Sequence, residues 1–202
     1  MFETTIGASQ DKTPVEAGAG RTRQAALDRL GELPESIQEA IKQGAMIFID
    51  RTVFGTREAG SDSVKIFKTD DDIKAGVCSL AKAMLEKDQH FICTAIMIEQ
   101  GDSLEGFVPA PFTDAMHSAE IDLNTAGADR VKGLHMNQFY TANPDAAVGD
   151  STKPYGFYKL KSPLYIPPQK EIKVTINGEA EIDGVIRVTL IGLQVAAKPN
   201  LA

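Results

Sequence analysis

The 202 residues contain no tryptophan and only four tyrosines, so aromatic platforms for stacking sugar rings or bases are scarce. The three histidines, His90, His117 and His135, lie far apart in sequence. No HExxH, GxSxG or CxxC is present, and neither is the pair of histidines one residue apart that marks metal-dependent barrel enzymes. Two cysteines, Cys78 and Cys93, have neither metal-ligand spacing nor the density of a disulfide framework. Their neighbours are apolar (Val77 and Leu80, Ile92 and Ala95), which fits inert core thiols. No apolar run approaches the ~20 residues that span a bilayer, and no Asn-x-Ser/Thr acceptor occurs. Met1 to Gly20 lacks a basic stretch followed by an apolar core, so no secretion signal is read there and folding in the cytoplasm is expected.

Positive charge is also short. Twenty-one Lys and Arg against 28 Asp and Glu leave a net charge of −7, which repels the phosphates a nucleic-acid binder must neutralise. Arg21 and Arg23 form the densest basic pair near the start, too few for a nucleic-acid arm. Ala17-Gly18-Ala19-Gly20 follows no strand and lacks the lysine-serine pair of a phosphate-binding loop, so it reads as linker. The many carboxylates leave a glycosidase-type dyad open, with nothing to support it. No catalytic residue, metal site or cofactor is expected, and the chain is read as a non-enzyme.

What is present is an ordinary globular composition, 43% hydrophobic and 24% charged, which argues against wholesale disorder. Residues 1–20, rich in Gly, Thr, Ala and Ser, read as a flexible arm. Residues 21–202 read as one domain. Two short helices are expected at 21–30 and around Ile37–Ile41, the second with Pro34 and Glu35 at its start and Gly44 past its end. Alternation then predicts strands at 45–54, ended by Gly55, and at 64–67. Asp70-Asp71-Asp72 fails the spacing of a calcium loop and is taken as the start of a helix over 77–87, with Leu80, Ala81, Met84 and Leu85 as its stripe. His90–Glu99 is apolar on both faces and is expected in the middle of the core. An irregular loop with exposed aromatics over 101–116, a strand at Ile121–Leu123, a turn over 125–130, a strand from Val131 and a loop over 143–153 follow. The last third alternates throughout. Strands fall at 157–166 (bent at Pro163), 171–176 and 184–195, with a stop at Pro167-Pro168 and a turn at Asn177-Gly178.

Phe157 to Val195 holds an aromatic strand, then Ser162-Pro163-Leu164-Tyr165-Ile166-Pro167-Pro168. A Lys-Glu strand follows at Lys170–Ile176, and Val188 to Leu193 closes the run. It resembles the final strands of jelly-roll structural proteins from tailless icosahedral viruses, particularly bacterial ones, over about a fifth of the chain. The resemblance implies a mainly β fold: a jelly-roll-like antiparallel β-sandwich with two or three short flanking or inserted helices. It implies a capsid subunit in a virion that binds copies of itself and other capsid proteins, without tight nucleic-acid binding or a transmembrane segment. The candidate assembly contacts are Phe2, Arg21 and Arg23 near the chain start, and Phe107, Phe112 and Tyr155 in the loops. A non-catalytic β-sandwich module binding a carbohydrate or protein partner, in the cytoplasm, is the alternative. A cupin-like enzyme is a third reading and needs clustered metal ligands.

Overall fold

The computed structural model describes residues 27–139 and 156–197. The arm over 1–20, most of the helix expected at 21–30 and the loop over 143–153 lie outside them, as do Phe2, Arg21, Arg23 and Tyr155. The described chain is mainly β, with two antiparallel sheets stacked as a sandwich.

The strands are β1 (Met46–Glu58), β2 (Ser61–Lys65), β3 (His90–Gly101), β4 (Pro109–Ala110), β5 (Glu120–Thr125), β6 (Ala128–His135), β7 (Phe157–Ile166), β8 (Ile172–Ile182) and β9 (Val185–Ala197). The first sheet runs β1-β9-β3, with β7 and the two-residue β4 both pairing to the far side of β3. The second runs β2-β8-β5-β6. One apolar core fills the space between them. Val53, Ile96 and Leu190 come from the first sheet, and Ile121, Leu123 and Val174 from the second. At about 1.5–3 kcal/mol for each large aliphatic side chain fully removed from water, this inward alternation is the main stabilising term.

His90–Gly101 occupies the expected central place, hydrogen-bonded on both edges to β9 and β7. Phe91 and Ile96 point into the sandwich. Ile92 faces the other way, where it clusters with Leu193, Phe48 and Tyr165. The chain ahead of β1 covers that outward face. Leu33 is buried, α1 (Glu35–Lys42) contacts β1, and Arg29 donates to Ser162 Oγ on β7. The helix expected around Ile37–Ile41 is therefore α1, and a 3₁₀ turn at Leu30–Glu32 precedes it.

Five local expectations are corrected. No helix spans 77–87: Lys82 and Ala83 take left-handed φ values of 52° and 54°. The segment laces the two sheets together instead. Ser79 N donates to Phe54 O on β1, while Ile172 N on β8 donates to Ala83 O. The apolar stripe was legible, since Leu80 and Leu85 are buried, but they enter the core from either side of a turn at Lys82-Ala83 rather than from one helix face. Gly55 does not end β1. It sits inside the strand because a Cβ there would come within 2.8 Å of the Phe67 ring. Asn177-Gly178 is not a turn either. The Asn177 side chain accepts from Ser63 Oγ at 2.9 Å and donates to Asp122 Oδ2 at 3.0 Å, tying β8 to both neighbours. The reversal comes at Asp183-Gly184, with Gly184 at φ +83°. The strand expected from Val131 to Tyr140 runs from Ala128 to His135 and gives way to a 3₁₀ turn at Met136–Gln138. A second helix, α2 (Asp114–Ser118), occupies part of the expected loop, capped by Thr113.

Candidate functional site

The 102–112 loop folds back onto the end of the first sheet because Gly101 permits it: a Cβ there would lie 2.6 Å from Val108 O. Gln100 fixes the return. Its Oε1 accepts from Thr113 N at 2.8 Å, and its Nε2 donates to Asp183 O at 2.8 Å. The expectation of exposed aromatics in this loop is half corrected. Phe112 is 6% exposed and belongs to the core, edge-on to His117. Phe107 is half-buried, its ring centroid 4.1 Å from the Arg187 guanidinium carbon. Arg187 also reaches over Phe54 at 5.7 Å, donates from Nε to Thr56 Oγ1 at 2.9 Å, and donates to Gly76 O at 2.8 Å. Beside this stack Val108 stands 71% exposed. The second loop marked in the sequence is rooted at the same end: Gly156 N donates to Phe139 O at 3.0 Å, and Phe157 pairs with Met97. Arg187 and Phe54 were not singled out from sequence. The available signal was a lone arginine among outward positions of an otherwise apolar strand.

A shallow groove of about 280 Å³ crosses β1, β9 and β3, bordered by Asp50, Thr52, Thr94 and Ile191. Arg51 and Gly192 complete its lining. A second cavity, about 190 Å³, lies between Arg51 of β1 and the 79–89 segment.

His90 opens β3 and is 8% exposed. Its Nδ1 and Tyr165 Oη share a 2.7 Å hydrogen bond, and the two rings stack with centroids 6.1 Å apart. Burial holds its pKa below the ordinary value, with Asp88 acting in the opposite sense. Burial, and secondarily Glu32, raises Tyr165. The unfolded chain therefore protonates this imidazole near pH 6.5, where the folded chain does not. Stability is then present above that pH and is lost as pH falls, levelling off once the depressed folded value is passed. Thermal melts between pH 7 and pH 5 are expected to show the loss, and His90→Gln is expected to reduce it. An identical pH profile in that variant would remove His90 as the cause.

Both cysteines are inert by position. Cys93 is fully buried and pushed up to about 12, and burial also raises Cys78. Among the described residues no three His, Cys, Asp or Glu side chains converge to hold a metal. No helix among them is long and apolar enough to cross a membrane. The described surface offers contact patches and cavities, among them the two above. Comparison with family models, with curated proteins and with solved structures finds no match to this chain.

Proposed function

We propose that this chain is a jelly-roll capsid subunit, a structural protein that associates with copies of itself and with other capsid proteins into a closed icosahedral shell of a virion. The pairing order carries the reading. With two-residue β4 set aside, eight strands divide four and four between the sheets: β1 lies beside β9, then β3 and β7, while β2 lies beside β8, then β5 and β6. First strand next to last, and second next to last but one, is the order produced when two Greek keys are wound into one sandwich. Capsid proteins, lectins and cupins all use that architecture, so the step from fold to role rests on fold-level analogy and on the surfaces. An end of the sandwich where two loops are rooted together, with Val108 exposed beside the Phe107–Arg187 stack, suits lateral contact between subunits. Aromatic and arginine side chains at such a place are what interface cores favour.

Sedimentation velocity of the full chain over a concentration series is expected to show discrete oligomers or shells. Val108→Asp is expected to move their onset to at least tenfold higher concentration, since about 1.4 kcal/mol per contact is a factor of ten. A strictly monomeric protein at the highest concentration would sink the assembly reading.

One feature favours a second reading, a non-catalytic carbohydrate-binding module. The groove over Gly192 sets a carboxylate, Asp50, near two threonine hydroxyls on an outward sheet face. A glycan panel that raises the melting temperature, with loss of the effect in Asp50→Asn, would favour it over assembly.

A further inference from the structure

Arg51 points to the inward side of β1, the side of Val53, at the end of the sandwich where the 79–89 segment crosses. It is half-buried, yet both of its acceptors are neutral. Nη1 donates to Gln89 Oε1 at 2.8 Å and to Gln194 Oε1 at 2.5 Å. Among the described residues no carboxylate forms an ion pair with it. The acidic group in the lining, Glu86, acts on Arg51 electrostatically without forming an ion pair, and accepts from Gln89 Nε2 at 2.9 Å. The guanidinium thus borders the 190 Å³ cavity, and among the described residues nothing accepts from its Nε or Nη2. Leu80, Met84, Leu85 and Ile73 supply apolar walls, and Lys82 and Lys87 add exposed positive charge at the rim.

We propose that this cavity binds a small monocarboxylate with a short apolar stem. A planar guanidinium fork matches the two oxygens of a carboxylate. A half-buried cation whose hydrogen bonds go only to neutral amides, with Glu86 acting on it at a distance rather than in an ion pair, is left partly uncompensated, so an anion in direct contact offsets an existing cost. The walls favour carbon over further charge: a phosphate would have to shed water from three charged oxygens against leucine side chains. At about 30 Å³ per water-sized group, the volume holds roughly six heavy atoms, which suits a short aliphatic acid and excludes a nucleotide. The proposal is independent of the assembly reading, and it holds for a monomer as well as for a shell.

The probe is butyrate, added to the full chain at constant ionic strength and read by saturation transfer from protein methyl groups to the ligand. The signal is expected to saturate, with 1-butanol binding at least tenfold more weakly and inorganic phosphate competing at least tenfold less well than acetate. Arg51→Gln is expected to weaken butyrate at least tenfold. Ala81→Phe, whose ring would fill the cavity without replacing any of the hydrogen-bonding groups around Arg51, is expected to do the same, whereas Lys42→Gln on α1 leaves binding unchanged. A melting curve of each variant reports its folding, and should Arg51→Gln fail to fold, Ala81→Phe decides. Equal binding of butyrate and butanol, phosphate competing as well as acetate, or full binding retained in folded Ala81→Phe would each overturn the assignment.

Discussion

Gly192→Ala is expected to destabilise the protein by about 4 kcal/mol, near the upper end of single-substitution effects. Gly192 lies in β9, paired to Cys93 of β3 and Arg51 of β1. A methyl group there would stand 2.0 Å from the carbonyl oxygen of Ile92 and 2.9 Å from Cys93 Cα. Both are backbone atoms of the central strand, so no rotamer change relieves the overlap; the ladder itself has to move. It sits beside the register shift between Cys93 and Ala95, where β3 changes which face its odd-numbered residues present. The strain therefore falls where the first sheet is already irregular. Gly31→Ala is the matched control. Nothing lies within 4 Å of its would-be Cβ, and an effect within about 0.5 kcal/mol is expected. Equal denaturation midpoints for the two variants would contradict the packing described at β3 and β9.

Asp71→Ala is expected to cost roughly 3 kcal/mol, through the partner it abandons as much as through the contact it loses. Asp71 forms an ion pair with Arg57, and the two side chains are only 9% and 19% exposed. Its Oδ2 also accepts from Lys68 N at 2.8 Å, and its carbonyl accepts from Lys82 N at 2.7 Å. Arg57 in turn donates from Nε to Ile66 O at 2.9 Å. The pair thus pins the start of the 69–89 crossing to the end of β1. Removing the carboxylate leaves a guanidinium largely out of water with no counter-charge. Removing both charges is expected to hurt less than the sum: Arg57→Met with Asp71→Ala should be more stable than Asp71→Ala plus the separate Arg57→Met loss implies, with a coupling of about 1–3 kcal/mol. Strict additivity in urea denaturation would show that the pair is a surface contact of little weight.

These two sites also mark how far the sequence could be read. Apolar alternation placed the strands well, because a residue that alternates in burial must alternate in chemistry; His90–Glu99 could be put at the centre of the core from its two apolar faces alone, and the strand there runs to Gly101. Glycine was read less well. Gly55, read as a strand end, and Gly178, read as part of a turn, lie inside strands, where the absence of a side chain admits a close neighbour. Which atoms approach is a property of partners distant in sequence, so no local pattern carries it. The 77–87 segment failed for a related reason. Leu80, Met84 and Leu85 have helical spacing, but hydrogen bonds to β1 and β8 outweigh intrinsic preference and draw the chain out between the sheets. The acidic run before it was read as a helix start, and the anchoring role of Asp71 needed Arg57 in view. Of the expected contact residues, Phe107 keeps a place at the surface and Phe112 belongs to the core. An aromatic in a loop has the same sequence signature in either case. Arg51 gave no signal at all: one arginine in a strand carries no mark of whether an acid waits opposite.

The capsid reading depends on the arrangement of strands, and amide hydrogen exchange tests that most directly. Slowest exchange is expected along β3 and β9, which are hydrogen-bonded on both edges, and along β8 between β2 and β5. Fast exchange is expected along much of the free edge of β6, with the 77–87 segment protected only at isolated positions such as Ser79 N. Protection continuous through 77–87, with β3 and β9 exchanging quickly, would mean a helical core in place of stacked sheets and would contradict the account.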